Sequence, residues 1–154
     1  MNRLVYGHLS DDAKRQICNW KYDGEYAIYN LPAYEEMKAQ NRGFMDSSIE
    51  KSYYGFWDND VLVGYVKLTE GDTCVSIGIG VNPDLCERKY GQNILSAAYN
   101  ISKSLYNKPL DLIVRSWNIR AIKCYEKAGF CIDGLPFEIE TGIGIGTFYR
   151  MVKE

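Results

Sequence analysis

The sequence predicts a mixed α/β fold over residues 1–154: a single domain with a central, mostly antiparallel sheet of about 6–7 strands flanked by helices. Two patterns carry the prediction. Turn-separated, β-like runs fill residues 53–81, and strands and helical periods then alternate from residue 92 to the end. A third observation fixes the broad class. Hydrophobic residues make up 46% and charged residues 25%, ordinary values for a globular chain long enough to bury its own core.

Taken in order, residues 10–18 read as a helix, with Ser10 as N-cap and Asp11 and Asp12 at the positive end of its dipole. Residues 26–29 read as a short strand. Pro32 is placed at the first position of a helix running to about residue 40. Residues 53–57 and 61–69 read as strands joined by the turn Asp58-Asn59-Asp60. A third strand, 73–81, follows the turn Glu70-Gly71-Asp72, which completes an antiparallel meander. From 92 to 106, Ile94, Leu95, Ala98, Ile101 and Leu105 fall at a helical period. Leu110, Leu112 and Val114 then alternate as a strand, and the helical crossover before them predicts a parallel pair. Asn118 caps a helix whose face holds Ala121, Cys124, Tyr125 and Ala128, and Gly129 ends it. Residues 130–132 and 147–152 read as closing strands.

Composition excludes several function classes. A formal net charge of -2 and a pI near 5.5 oppose nucleic-acid binding, which usually needs a basic face. No apolar run approaches the roughly 18 residues of a membrane span. The N-terminal stretch MNRLVYGHLSDD lacks a signal peptide's apolar core, so a cytoplasmic location is expected, with neither membrane nor nucleic acid as partner. The five cysteines form no C-x-x-C pair, and the single histidine, His8, has no ligand-spaced companion; no metal site is expected. With His8 alone near a chain end, a hydrolase triad is equally poorly supported. Thirteen tyrosines are the unusual feature. Four of them, Tyr22, Tyr26, Tyr29 and Tyr34, cluster beside Trp20, and the apolar body and polar tip of tyrosine suit the wall of a half-wet cleft.

The stretch CERKYGQNIL, residues 86–95, lies between the run VSIGIGV and a helix. The first N–H groups of a helix lack internal partners and carry the positive dipole end. Gly91 lets a ligand approach the backbone, and Arg88 and Lys89 add fixed charge, so the junction suits a pyrophosphate. No G-x-x-x-x-G-K-[ST] loop is present. The run Gly142-Ile143-Gly144-Ile145-Gly146 imitates a dinucleotide fingerprint but leads into a strand, which makes it a hairpin tip.

These residues resemble the GNAT N-acetyltransferases. The family's acetyl-coenzyme A loop, (R/Q)-x-x-G-x-(G/A), follows a strand and a V-x-P-like turn; here Val81-Asn82-Pro83 precedes Arg88-Lys89-Tyr90-Gly91-Gln92-Asn93. Asn93 departs from the pattern, standing where the family has a small residue. A second block, NIRAIKCYEKAGF, matches at Asn118, Tyr125, Gly129 and Phe130. The strict match covers residues 61–131. The resemblance implies acetyl-coenzyme A as co-substrate, its pyrophosphate on residues 88–93 and Asn118 and Tyr125 beside it. It also implies a strand pair that splays, so that the pantetheine arm pairs with the backbone of Ile79, Gly80 and Val81. Glycines at 78 and 80 fit a close approach there.

The implied reaction is direct attack of a neutral amine on the thioester, for a primary amine of a small molecule or peptide. Tyr125 is the expected acid for the leaving thiolate, since a phenol of pKa about 10 is only modestly weaker than a thiol of about 8.5. Backbone N–H groups near Gly80 would polarise the carbonyl. Residues of the first fifty, Asp23, Glu25, Glu35 and Glu36 among them, are expected to build the acceptor wall. The general base is not legible; Glu70, Asp72, Glu138, Glu140 and a water chain all qualify. Two other readings stay open: a catalytically silent acyl-coenzyme A sensor, and an acyltransferase with another acyl group or acceptor. A homodimer is compatible with either.

Overall fold

The computed structural model describes residues 4–86 and 88–154. Eight strands form one sheet: β1 (Val5–Gly7), β2 (Tyr53–Asp58), β3 (Val61–Glu70), β4 (Val75–Val81), β5 (Leu110–Arg115), β6 (Cys131–Ile132), β7 (Phe137–Thr141) and β8 (Gly144–Lys153). Their order is β1-β2-β3-β4-β5-β8-β6, with β7 paired to β8. The sheet is mostly antiparallel with one parallel pair, β4 and β5, in register at Val75↔Leu110 and Ser76↔Asp111. The expected class is therefore observed, but with eight strands in place of 6–7. The additions are β1 and β7. The chain divides into two compact units, Met1–Lys67 with Ile79–Ile94 and Leu68–Gly78 with Leu95–Glu154.

In the first unit, α1 (Asp11–Asn19) starts where expected. The Ser10 hydroxyl accepts from the Ala13 N–H at 3.1 Å, and Ala13, Ile17 and Cys18 are buried on one face. That face joins Trp20, Tyr34, Met37, Phe44, Tyr53 and Leu62 in a single apolar cluster. Two expectations fail nearby. Residues 26–29 are no strand: Gly24–Tyr29 is a 3-10 helix, closed by Tyr26 N–H to Asp23 C=O at 3.2 Å and Asn30 N–H to Ala27 C=O at 3.0 Å. Local i+3 bonds satisfy this backbone without a partner strand. Pro32 also lies ahead of its helix. Ala33 is the N-cap, extended at ψ 152°, and α2 runs Tyr34–Ala39. The Asn59-Asp60 turn between β2 and β3 is as expected, both residues having positive φ (48° and 68°), the conformation of a two-residue hairpin that follows the strand twist.

In the second unit, β5 buries Leu110, Leu112 and Val114. The helix α3 (Tyr90–Tyr106), which contributes to both units, starts two residues earlier than expected. Next, α4 (Ile119–Lys127) is capped by Asn118, whose Oδ1 accepts from the Ala121 N–H at 3.2 Å; Ile122 is the buried centre of its face. The glycine run closes the β7–β8 hairpin at Thr141↔Gly144, so it is a hairpin tip. Arg150 on β8 ties the sheet to the loop after β6, at 2.9 Å from Asp111 and 2.5 Å from Asp133.

A tight backbone approach is found at Gly64 on β3. A Cβ there would fall 2.5 Å from Ile94 Cδ1 and 2.7 Å from the Gly80 carbonyl oxygen. Rigid backbone cannot yield as a side-chain tip can, so Gly64→Ala is expected to cost about 1–3 kcal/mol, the scale of overpacking. Chemical denaturation of the two forms checks this; equal stability would mean that β3 and β4 separate freely at this point.

Candidate active site

The site is built where β4 ends. The side chain of Asn82 caps the following turn: its Oδ1 accepts from the Asp84 N–H at 3.0 Å, and Pro83 sits at the first turn position. The same residue is fastened to β3 through Asn82 N–H to Val63 C=O at 2.8 Å and Nδ2 to Leu62 C=O at 3.2 Å. The chain then turns into α3 through Arg88 and Lys89, both exposed, with Lys89 in the left-handed region at φ 64°. Tyr90 and Gly91 are the first residues of α3, followed by Gln92 and Asn93. Arg88, Lys89, Tyr90, Gly91, Gln92 and Asn93 are thus brought together at a helix N-terminus after a strand, in the same unit as Ile79, Gly80 and Val81. Asn118 and Tyr125 belong to the second unit.

Asn93, the departure from the family pattern, turns back towards the start of its helix: its Nδ2 donates to the Lys89 carbonyl at 2.9 Å. Tyr90 reaches back to the β2–β3 hairpin, its hydroxyl donating to Asp58 Oδ2 at 2.6 Å. That hydrogen bond raises the Tyr90 phenol above its ordinary value, with burial and the Asp58 charge adding to it. Sequence reasoning missed this contact because Asp58 was assigned only to a turn.

At Gly80 the neighbour is an aromatic ring. A Cβ would stand 2.5 Å from Tyr65 Cε1, and Tyr65 itself lies 6.2 Å from Trp20, 6.2 Å from Phe44 and 6.4 Å from Tyr53, centroid to centroid. Trp20, Phe44, Tyr53 and Tyr65 thus form an aromatic wall, of which Tyr65 stands against β4 at Gly80. The Tyr22 hydroxyl donates to the Val81 carbonyl at 2.7 Å, a second contact the sequence did not disclose. No spacing rule connects residues so far apart.

In the second unit the Asn118 side chain is buried and used as the α4 cap. Tyr125 is half-buried, its ring edge-on to Phe130 at 6.3 Å, and its carbonyl accepts from Phe130 N–H at 3.0 Å. Glu70 is ion-paired with Lys108 at 2.8 Å, which leaves it poorly suited as a free base. Glu35 of the acidic set faces Arg15 at 3.7 Å on an exposed surface. Among the described residues no group of three or more His, Cys, Asp or Glu could hold a metal ion, and no helix is long and apolar enough to cross a membrane.

A strand ending in a cationic turn and an open helix N-terminus is an arrangement for holding a phosphorylated ligand. A model described as the acetyltransferase (GNAT) family matches residues 10–130. The chain belongs to this family of N-acetyltransferases. No curated protein matches it significantly. Solved structures share its fold at low identity. A GNAT-family acetyltransferase from Bacillus anthracis has a TM-score of 0.80 at 16% identity, covering 98% of this chain and 94% of that one. Spermidine N-acetyltransferase from Vibrio cholerae, in complex with coenzyme A and spermine, scores 0.76 at 19%, covering 97% and 94%. The ribosomal-protein-S18-alanine N-acetyltransferase from Escherichia coli scores 0.67 at 18%, covering 98% and 93%.

Burial pushes the Tyr65 phenol up to about 12, with Tyr53 and Cys18 adding smaller effects. The sign follows from linkage. Below the unfolded value of 10.0 both states keep the proton and nothing is lost. As pH rises from about 10 towards 12, the unfolded chain releases the proton while the folded one holds it, and stability falls. A Tyr65→Phe variant should lose less stability than wild type across that window. Denaturation at stepped alkaline pH, alongside phenolate absorbance, reads both. Identical pH slopes in the two proteins would contradict the burial of this hydroxyl.

Proposed function

We propose that the protein moves an acetyl group from acetyl-coenzyme A to a primary amine of a small molecule or peptide by direct attack, as one acetyltransferase domain acting in the cytoplasm. Family membership supports the donor. The observation that carries the placement is the junction of β4 and α3, where Arg88 and Lys89 are exposed just ahead of the first N–H groups of a helix. In this reading residues 88–93 take the pyrophosphate, and Ile79, Gly80 and Val81 take the pantetheine arm. Asn118 holds the start of α4, and Tyr125 returns a proton to the departing thiolate. The amine class is consistent with neighbours whose names specify spermidine and a ribosomal-protein alanine as acceptors.

The cradle is tested with Gly91→Glu, which puts a side chain and a negative charge where the phosphates would lie. Calorimetry should show coenzyme A affinity falling by at least about 10-fold, the effect of losing well over 1 kcal/mol of a charge-assisted contact. A folded variant with unchanged affinity sinks the cradle.

Tyr125→Phe removes one hydroxyl and keeps the ring. Coenzyme A affinity should hold, while kcat with an acceptor found by screening polyamines, amino acids and peptide N-termini for thiol release should fall by roughly 10- to 1000-fold. A kcat within about twofold of wild type would make Tyr125 a packing residue. Binding of coenzyme A with no thiol release for any amine would favour the silent sensor.

A further inference from the structure

We infer that Tyr22 is a positioning residue: it fixes the open edge of β4 and thereby couples the segment between α1 and α2 to the arm of the coenzyme. The inference rests on the functional reading above and deepens it.

The starting point is the direction of the strand's backbone groups. Successive residues of a strand turn their N–H and C=O groups to opposite edges. Asn82 gives its N–H to Val63 on β3, so the Val81 carbonyl faces the other edge. Among the described residues β4 pairs with β5 at Val75 and Ser76 alone, so beyond them this edge can receive an extended chain, offering it a row of backbone donors and acceptors. The Tyr22 hydroxyl meets the Val81 carbonyl there at 2.7 Å. A phenol on a rigid ring defines where this carbonyl points far better than water would.

Tyr22 is itself held. Its N–H donates to Asn30 Oδ1 at 2.6 Å, and Asn30 Nδ2 donates to the Tyr22 carbonyl at 3.4 Å. One asparagine thereby closes the loop that contains the 3-10 helix Gly24–Tyr29. The same segment supplies Trp20, whose ring lies tilted against Tyr65 at 6.2 Å, and Tyr65 covers Gly80. Of two neighbouring residues of β4, Val81 is thus braced directly by the α1–α2 segment through a hydrogen bond, and Gly80 indirectly, through the β3 residue Tyr65 on which Trp20 packs. An extended pantetheine arm pairing along this edge meets a backbone already set at its last carbonyl. Loss of the brace would cost ordering of that backbone on every binding event.

The consequence separates two parts of one ligand. The phosphates sit on the α3 side and should not sense Tyr22; the pantetheine arm should. Tyr22→Phe deletes only the hydroxyl, and its effect on coenzyme A is compared with that on adenosine 3′,5′-bisphosphate, which lacks the arm. Calorimetry should show coenzyme A binding weakened roughly 3- to 10-fold, the scale of one hydrogen bond, with the bisphosphate unchanged within about twofold. Equal affinities for coenzyme A in both proteins overturn the inference, and so does a parallel loss for both ligands, which would mark general damage to the unit. If wild-type protein binds neither ligand, the functional reading itself falls. If it binds coenzyme A and Tyr22→Phe binds it equally, only the role of Tyr22 does.

Discussion

The crowding around Gly64 is the constraint on which the proposed site depends. A side chain at that position would occupy the space of the Gly80 carbonyl and of the Ile94 side chain. The end of β4 and the first turns of α3 are therefore packed against the same point of β3. Dense packing leaves little slack, so the strand end and the helix start keep a fixed separation. Asn82 adds two hydrogen bonds to β3 between them. A ligand that needs backbone groups from both the strand and the helix finds them pre-set, and preorganisation of this kind lowers the ordering cost of binding.

Around that point the two neighbouring elements are tied by polar contacts whose charge is kept local. Tyr90 is anchored to Asp58, which leaves the cationic side chains of Arg88 and Lys89 directed to solvent at the helix mouth. In the second unit three carboxylates are ion-paired: Asp111 and Asp133 with Arg150, and Glu70 with Lys108. The exposed positive charge of the turn suits an anionic ligand. The Lys153 ammonium donates to the Ala128 carbonyl at 2.8 Å, satisfying an end of α4, the helix that carries Tyr125.

Much of this was legible in the sequence, for identifiable reasons. Ser10, Asn118 and Gly129 are local signals, and each sits in the structure at the helix end its chemistry favours. The Arg88–Asn93 stretch was readable because strand, turn and helix follow one another without interruption. Failures came where local signals competed. Residues 26–29 are aromatic and β-prone, yet backbone bonds to Asp23 and Ala27 and the Asn30 side chain close the segment on itself. Pro32 suits a first helical turn, but Ala33 remains extended behind it. The β7 strand alternates Phe137 and Ile139 with Glu138 and Glu140 beside the glycine hairpin, a pattern that a stricter count would have found. The Tyr22–Val81 and Tyr90–Asp58 contacts join residues distant in sequence, and no single-chain periodicity encodes them.

The central claim is that the junction of β4 and α3 holds the coenzyme. Titration of coenzyme A into isotope-labelled protein, followed through the backbone amide resonances, tests it most directly. The account predicts that the amides of residues 79–81 and 88–93 shift first and furthest and saturate together with one affinity. Saturable shifts confined to other parts of the chain, with these amides unmoved, would contradict it.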